Sequence, residues 1–155
     1  MSEPQPHANN FLAAEPDIVA RLKAALSGQT PAVHVLTEDD LDGVKENAQL
    51  VPAVHVIYAS YKPLESSSRR DQASLEHTWL VVAAVRNVAS GRKGSAAARK
   101  AAGELLACAG AALMGFKPTN CMTPLRLVPA PRGSSSNGYV YLPLAFAAES
   151  LFRAA

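Results

Sequence analysis

Catalysis or metal binding in this chain would have to come from four histidines, two cysteines and thirteen carboxylates. His34, His55 and His77 each fall in a short run of branched residues that reads as a strand. Neighbouring strands would let the three imidazoles converge on one face as a metal site. None of the three belongs to an HxH or HExxH pattern, so the spacing does not demand a metal. Cys108 lies among alanines and leucines, where a cysteine behaves as a small buried hydrophobe with a disfavoured thiolate. Cys121 follows Asn120 in a loop and is expected to be exposed, with no histidine close enough in sequence to activate it. Ser90-Gly91-Arg92-Lys93-Gly94-Ser95 invites comparison with a phosphate loop. Its lysine precedes the second glycine instead of following it, and the plain reading is a solvated basic turn before a helix. On these residues the chain needs no cofactor and holds no catalytic or metal site.

The elements that would position such groups belong to one domain, since 155 residues is an ordinary domain length. With 48% hydrophobic and 18% charged residues the chain is too apolar to be disordered and too sparsely charged for a coiled coil. Its longest charge-free apolar run, residues 105–116, is shorter than the roughly 18–20 residues of a membrane span, and the N-terminus is too polar for a secretory signal. Two cysteines exclude a disulfide framework and a four-thiolate zinc site, so a reducing compartment is the default.

The net charge of +2 hides an asymmetry. Residues 1–60 hold three basic side chains against eight acidic ones, and residues 61–155 hold twelve against five, giving −5 and +7. Such a division suits either a basic patch for nucleic acid or opposite surfaces that meet another copy of the chain.

Along the chain, residues 1–10 carry two prolines and no apolar period and read as a flexible tail, with residues 11–155 as a single domain. Glu15-Pro16-Asp17 opens an amphipathic helix in which Ile18, Val19, Leu22, Ala25 and Leu26 share a face. Strands are expected at 32–36, 53–61, 75–88, 123–129 and 139–150, the last interrupted at Pro143. Thr37 and the acids after it open a short helix through about residues 41–46. Residues 64–72 and 132–138 read as loops, with Asn137-Gly138 as turn residues. The strand at 75–88 is apolar on both faces and therefore needs cover on both sides. A long alanine-rich helix spans 96–114, capped by Ser95. Its second half is apolar around the whole cylinder, more than one sheet face can bury. The expected class is α+β, a mostly antiparallel sheet of about four to five strands with the long Ala-rich helix packed across it and a shorter N-terminal helix.

The opening helix Ile18-Val19-Ala20-Arg21-Leu22-Lys23-Ala24-Ala25-Leu26, the Val51-Pro52-Ala53-Val54 entry to a strand, the long strand from His77, the alanine-rich helix ending Leu113-Met114-Gly115-Phe116-Lys117-Pro118 and the closing strand from Tyr139 together resemble the small tail terminator proteins of Mu-like phages and prophages. The likeness covers roughly residues 12–150 and rests on element order and apolar pattern. It implies a non-enzymatic virion protein of the tail, assembled in the bacterial host cytoplasm. Its copies would close into a ring of six on the tail tube protein, stop tube growth and offer a surface to head-tail connector proteins, with no membrane involved.

A head-to-tail ring uses two different patches per subunit. The acidic cluster Glu38, Asp39, Asp40 and Asp42 of one copy is expected to face Arg69, Arg70, Arg92 or Lys93 of the next. Arg92, Lys93 and Arg132 are the residues expected to make sequence-independent contact with passing DNA. The rival readings are another neck or head-completion protein of the same particle, and a small metal- or thiol-dependent hydrolase using His55, His77 and Cys121.

Overall fold

The computed structural model describes residues 9–86 and 91–155, with side chains for all of these except 47 and 91–94. Pro16 and the acids Glu15 and Asp17 sit in the first turn of α1 (Glu15–Leu26), where fixed φ and negative charge suit a helix N-terminus. Ile18, Leu22 and Leu26, spaced by four, bury one stripe of that helix. Then follow β1 (His34–Thr37), the single-turn α2 (Glu38–Leu41), a short 3-10 turn at Glu46–Ala48, β2 (Ala53–Ser66), β3 (Gln72–Arg86), α3 (Gly91–Leu113), β4 (Arg126–Val128), β5 (Ser134–Ser136) and β6 (Tyr139–Arg153).

The class is α+β, as expected, with six strands in one mixed sheet. The order is β1-β2-β3-β6-β4, and β5 pairs with β6. Among the described residues only the β1–β2 pair is parallel. The centre is the β3–β6 ladder, paired without a break from Gln72↔Arg153 to Arg86↔Tyr139.

Side-chain alternation divides the sheet into two unlike faces. Val54, Val56, Trp79, Val81, Ala83, Phe146 and Ala148 face the helices and form one core with Ile18, Leu22 and Leu26 of α1 and Leu105, Ala109 and Leu113 of α3. The alternate positions Ile57, Leu80, Val82, Pro143 and Val128 belong to neither hydrophobic cluster and are only half-buried. Both faces are apolar, as the sequence of β3 implied, yet α1 and α3 lie on one of them.

Several boundaries differ from the sequence reading. Within residues 64–72 the expected loop is shorter: 64–66 extend β2 and residue 72 opens β3, because backbone pairing needs no hydrophobic period. Only residues 67–71 turn, closed by the Ser67 hydroxyl, which donates to Asp71 Oδ1 at 2.6 Å and accepts from the Asp71 and Gln72 amides. Residues 134–136 are likewise a strand, returned by Asn137 and Gly138 with φ of 50° and 83°, the left-handed pair that a two-residue hairpin requires. β6 passes Pro143 uninterrupted: the residue pairs with Val82 of β3 on one side and on the other falls between the segments paired to β5 and β4, an unpaired stretch of edge where proline is tolerated.

Helix α3 starts at Gly91, not after Ser95, so the glycines and basic residues expected in a turn are helical in backbone. The alanine run behind them makes propagation cheap enough to outweigh their weaker propensity. Helix α2 ends at Leu41, ahead of Gly43 with φ of 72°. The flexible tail expected at residues 1–10 lies outside the described residues through residue 8. Asn9 itself is held: its amide donates to the Arg153 carbonyl at 2.6 Å and accepts from the Arg153 N–H at 3.1 Å.

Candidate functional site

The register of the ladder separates the residues proposed for chemistry. His55 pairs with Val82 and His77 with Ala148, which places the two imidazoles on opposite faces of the sheet. No group of three or more His, Cys, Asp or Glu side chains able to hold a metal occurs among the described residues. His77 is 6% exposed and satisfied on both nitrogens, with Nδ1 at 2.8 Å from the Tyr58 hydroxyl and Nε2 at 2.7 Å from Ser150 Oγ. Phe11 packs edge-on against it, and burial lowers its pKa. This Tyr58, His77 and Ser150 chain escaped the sequence reading, because only the pairing of β3 with β6 brings residues 77 and 150 together.

His77 and Cys121 line one small cavity, which Phe11, Trp79 and Ser150 also line. Its enclosed space of about 20 Å³ is room for a single water. Burial pushes the Cys121 thiol up, and Asp17 adds to the rise against a smaller opposing effect of Lys117. A half-buried thiol held protonated is a poor nucleophile. On the other face His55 Nε2 and Gln49 Oε1 are buried without hydrogen-bond partners, and burial lowers the His55 pKa. Cys108, expected in the core, is exposed, because it lies on the flank of α3, where it lines an open groove with Leu105, Val33, Pro52 and Val85.

The charged residues chosen for assembly are at the surface. Glu38, Asp39, Asp40 and Asp42 are all exposed on and beside α2. Asp40 also accepts from the Thr37 amide at 2.8 Å and from its hydroxyl at 3.2 Å, which fixes the start of the turn. The cluster reaches Glu15 at the start of α1, whose pKa is raised by burial and then by Asp39, Glu38 and Asp40. Arg69 and Arg70 are exposed at the β2–β3 turn, Arg70 with φ of 59°. Thr37, beside α2, pairs with Val56. From Val56 to the end of β2 is about 33 Å of strand, so the structure does not bring the acids and Arg69 or Arg70 together within one copy. Arg132 is exposed in the loop before β5. Arg92 and Lys93 lie outside the described side chains.

Two apolar surfaces remain. On α3, Leu105, Ala109 and Leu113 face the core, while Ala107, Ala111 and Met114 are exposed on the opposite side after Glu104, with Cys108 exposed on the flank and Met114 at 58% exposure. The expectation that its own sheet covers only part of the apolar half of the helix therefore holds. The second surface is the sheet face opposite the helices. No helix among the described residues is long and apolar enough to cross a membrane.

No curated protein matches this chain. One solved structure aligns over 92% of this chain and 94% of its own, at 13% identity and a TM-score of 0.40, a likeness too weak to carry an argument. A family model described as phage tail terminator protein matches residues 8–154, nearly the whole length. A match of that extent shows the family: the chain belongs to the phage tail terminator protein family, structural components of the virion tail that associate with other tail and head-tail proteins.

Proposed function

We infer that copies of this chain close head-to-tail into a ring, six in number, on the tail tube protein, ending tube growth and presenting a surface to head-tail connector proteins during assembly in the host cytoplasm. The observation that carries the reading is the family match over residues 8–154. The charge distribution supports the head-to-tail arrangement. The Glu15 carboxyl has its pKa raised by burial first and then by Asp39, Glu38 and Asp40, and cations from another molecule would relieve this concentration of negative charge. Arg69 and Arg70 are too far from α2 in their own copy to do so. In this reading they, or Arg92 and Lys93, meet Glu38, Asp39, Asp40 and Asp42 of the next subunit, a heterologous contact that closes a ring when its rotation is right.

The mass of the purified full chain, and tail length in phage lacking it, test this reading. A discrete six-subunit species and overlong tails that the wild-type gene restores to normal length are the expected results. A monomer that neither caps tubes nor changes tail length overturns it. A second reading concerns the lumen: Arg132 is exposed, and Arg86, whose guanidinium lies 6.0 Å from the Tyr139 ring, stands at the same end of the sheet. With Arg92 and Lys93, Arg132 would give passing DNA weak contacts that depend on salt and not on sequence. Absence of any salt-sensitive DNA retention by the assembled ring removes it.

A further inference from the structure

We propose that the outer face of α3 in one copy covers the open sheet face of the next copy, so that each copy-to-copy contact completes a helix, sheet, helix sandwich that a single chain leaves half built. The inference rests on the ring reading and names the surfaces that would join its subunits.

Sheets with two apolar faces are covered on both sides in stable domains. Here the face carrying Ile57, Leu80, Val82, Pro143 and Val128 has no α-helix on it among the described residues, since α1 and α3 both pack through the opposite face, and the 3-10 turn at Glu46–Ala48 with Gln49 reaches it at Tyr141. The same chain carries a helix with the converse deficiency. Ala107, Cys108, Ala111 and Met114 are exposed on α3 although residues 105–114 contain no charge.

The two surfaces fit in size and chemistry. Residues 105–113 run about 12 Å along the helix axis, and an α-helix with side chains is about 10 Å across. Residues 143–147 of β6 run about 13 Å, and three neighbouring strands are about 10 Å from first to third. Each patch carries charge only at its margin, Glu104 beside Lys100 on α3 and Arg126 paired with Glu76 on the sheet, so their contact need bury no unpaired ion. The alanines at 107 and 111 keep the helix thin enough to lie close to the flat sheet. A partner helix with bulky outward residues would stand further off.

Geometry also decides the occupant. The outer face of α3 and the open sheet face lie on opposite sides of one molecule, separated by the core of Leu105, Ala109, Val81 and Phe146. They cannot meet within a chain. When each is filled by a second copy, the contact is heterologous and propagates in one direction, the arrangement that closes a ring. The patch is small beside the roughly 800 Å² per partner of a stable interface. It therefore supplies the dry centre, with the charged contacts around α2 and the β2–β3 turn at its rim.

The test uses the full chain with Cys121→Ser, which leaves Cys108 as the single thiol, and adds Leu80→Cys on the sheet face. Mild oxidation should link Cys108 of one copy to residue 80 of another, giving a ladder of disulfide-joined chains on a non-reducing gel. Without Leu80→Cys the ladder should be absent. In separate proteins, Ala111→Arg and Val82→Arg should each weaken self-association about tenfold or more by mass photometry, with circular dichroism unchanged. Links between two Cys108 residues would mean back-to-back pairing of α3 and would overturn the proposal. So would an oligomer that neither arginine disturbs, although the ring reading would then stand. A protein that never self-associates and never caps tubes removes both.

Discussion

The imidazole of His77 on β3 reaches the hydroxyl of Ser150 on β6 at 2.7 Å, one diagonal step from its own ladder partner Ala148. With the Tyr58 hydroxyl on the other ring nitrogen, a histidine that reads in sequence as a candidate for chemistry becomes a satisfied cross-strand strut. A buried polar group with both partners in place stabilises the fold, whereas one stripped of a partner costs the full desolvation penalty. Ser150→Ala is thus expected to destabilise the fold by about 1–3 kcal/mol, read by urea denaturation.

The pH dependence follows from the same burial. His77 and His55 both have pKa values lowered from 6.5 by desolvation, so the unfolded chain binds protons more readily than the folded one as pH drops. Their stabilising contribution is complete above pH 6.5, the ordinary value, and is lost as pH falls below it. Melting temperature is expected to fall between pH 7.5 and 5, and less steeply in His77→Gln. A flat profile for the wild type would contradict the burial of both rings.

The two thiols should be told apart by alkylation. Cys108 is exposed, whereas Cys121 is half-buried and its pKa is raised mainly by burial. Peptide mass spectrometry after brief maleimide treatment should find Cys108 modified first, by about tenfold or more, since reaction rate follows thiolate fraction and access. Preferential modification of Cys121 would contradict its placement.

Glycine substitutions probe the backbone in opposite directions. A Cβ at Gly133 would come within 2.7 Å of Leu142 Cδ2 and 2.9 Å of the Tyr141 carbonyl oxygen, so Gly133→Ala must move β-sheet backbone. It should cost about 1–3 kcal/mol. At Gly103, inside α3, nothing lies within 4 Å of the added atom. Gly103→Ala should stabilise the folded chain by about 0.5–1 kcal/mol through helix propensity alone.

Reversing the basic residues at the start of α3 tests the charged contact. Arg92→Glu combined with Lys93→Glu should weaken self-association, and the loss should be larger at low salt, where surface charges are least screened. Sedimentation across a salt series reads it. An unchanged assembly mass at every salt concentration would exclude these two residues from the contact, leaving Arg69 and Arg70 as the partners of α2.

Local chemistry in the sequence determined a good deal. Pro16 beside two acids fixed the start of α1, the Asn137-Gly138 pair fixed a turn, and alanine and leucine periodicity fixed a long helix, because each signal acts within a few residues. The double apolar character of β3 and the charge-free second half of α3 also showed that this chain has more surface to bury than one helix and one sheet face can cover. Register and layer order were beyond its reach. That His55 and His77 occupy opposite faces, that residue 150 arrives beside residue 77, that residues 64–66 and the serines 134–136 are strands, and that Cys108 is exposed were decided only when β6 entered the sheet between β3 and β4 and both long helices took one side. Those outcomes depend on pairings between residues scores of positions apart, where backbone hydrogen bonds and the choice of covered face outweigh any preference written into the local sequence.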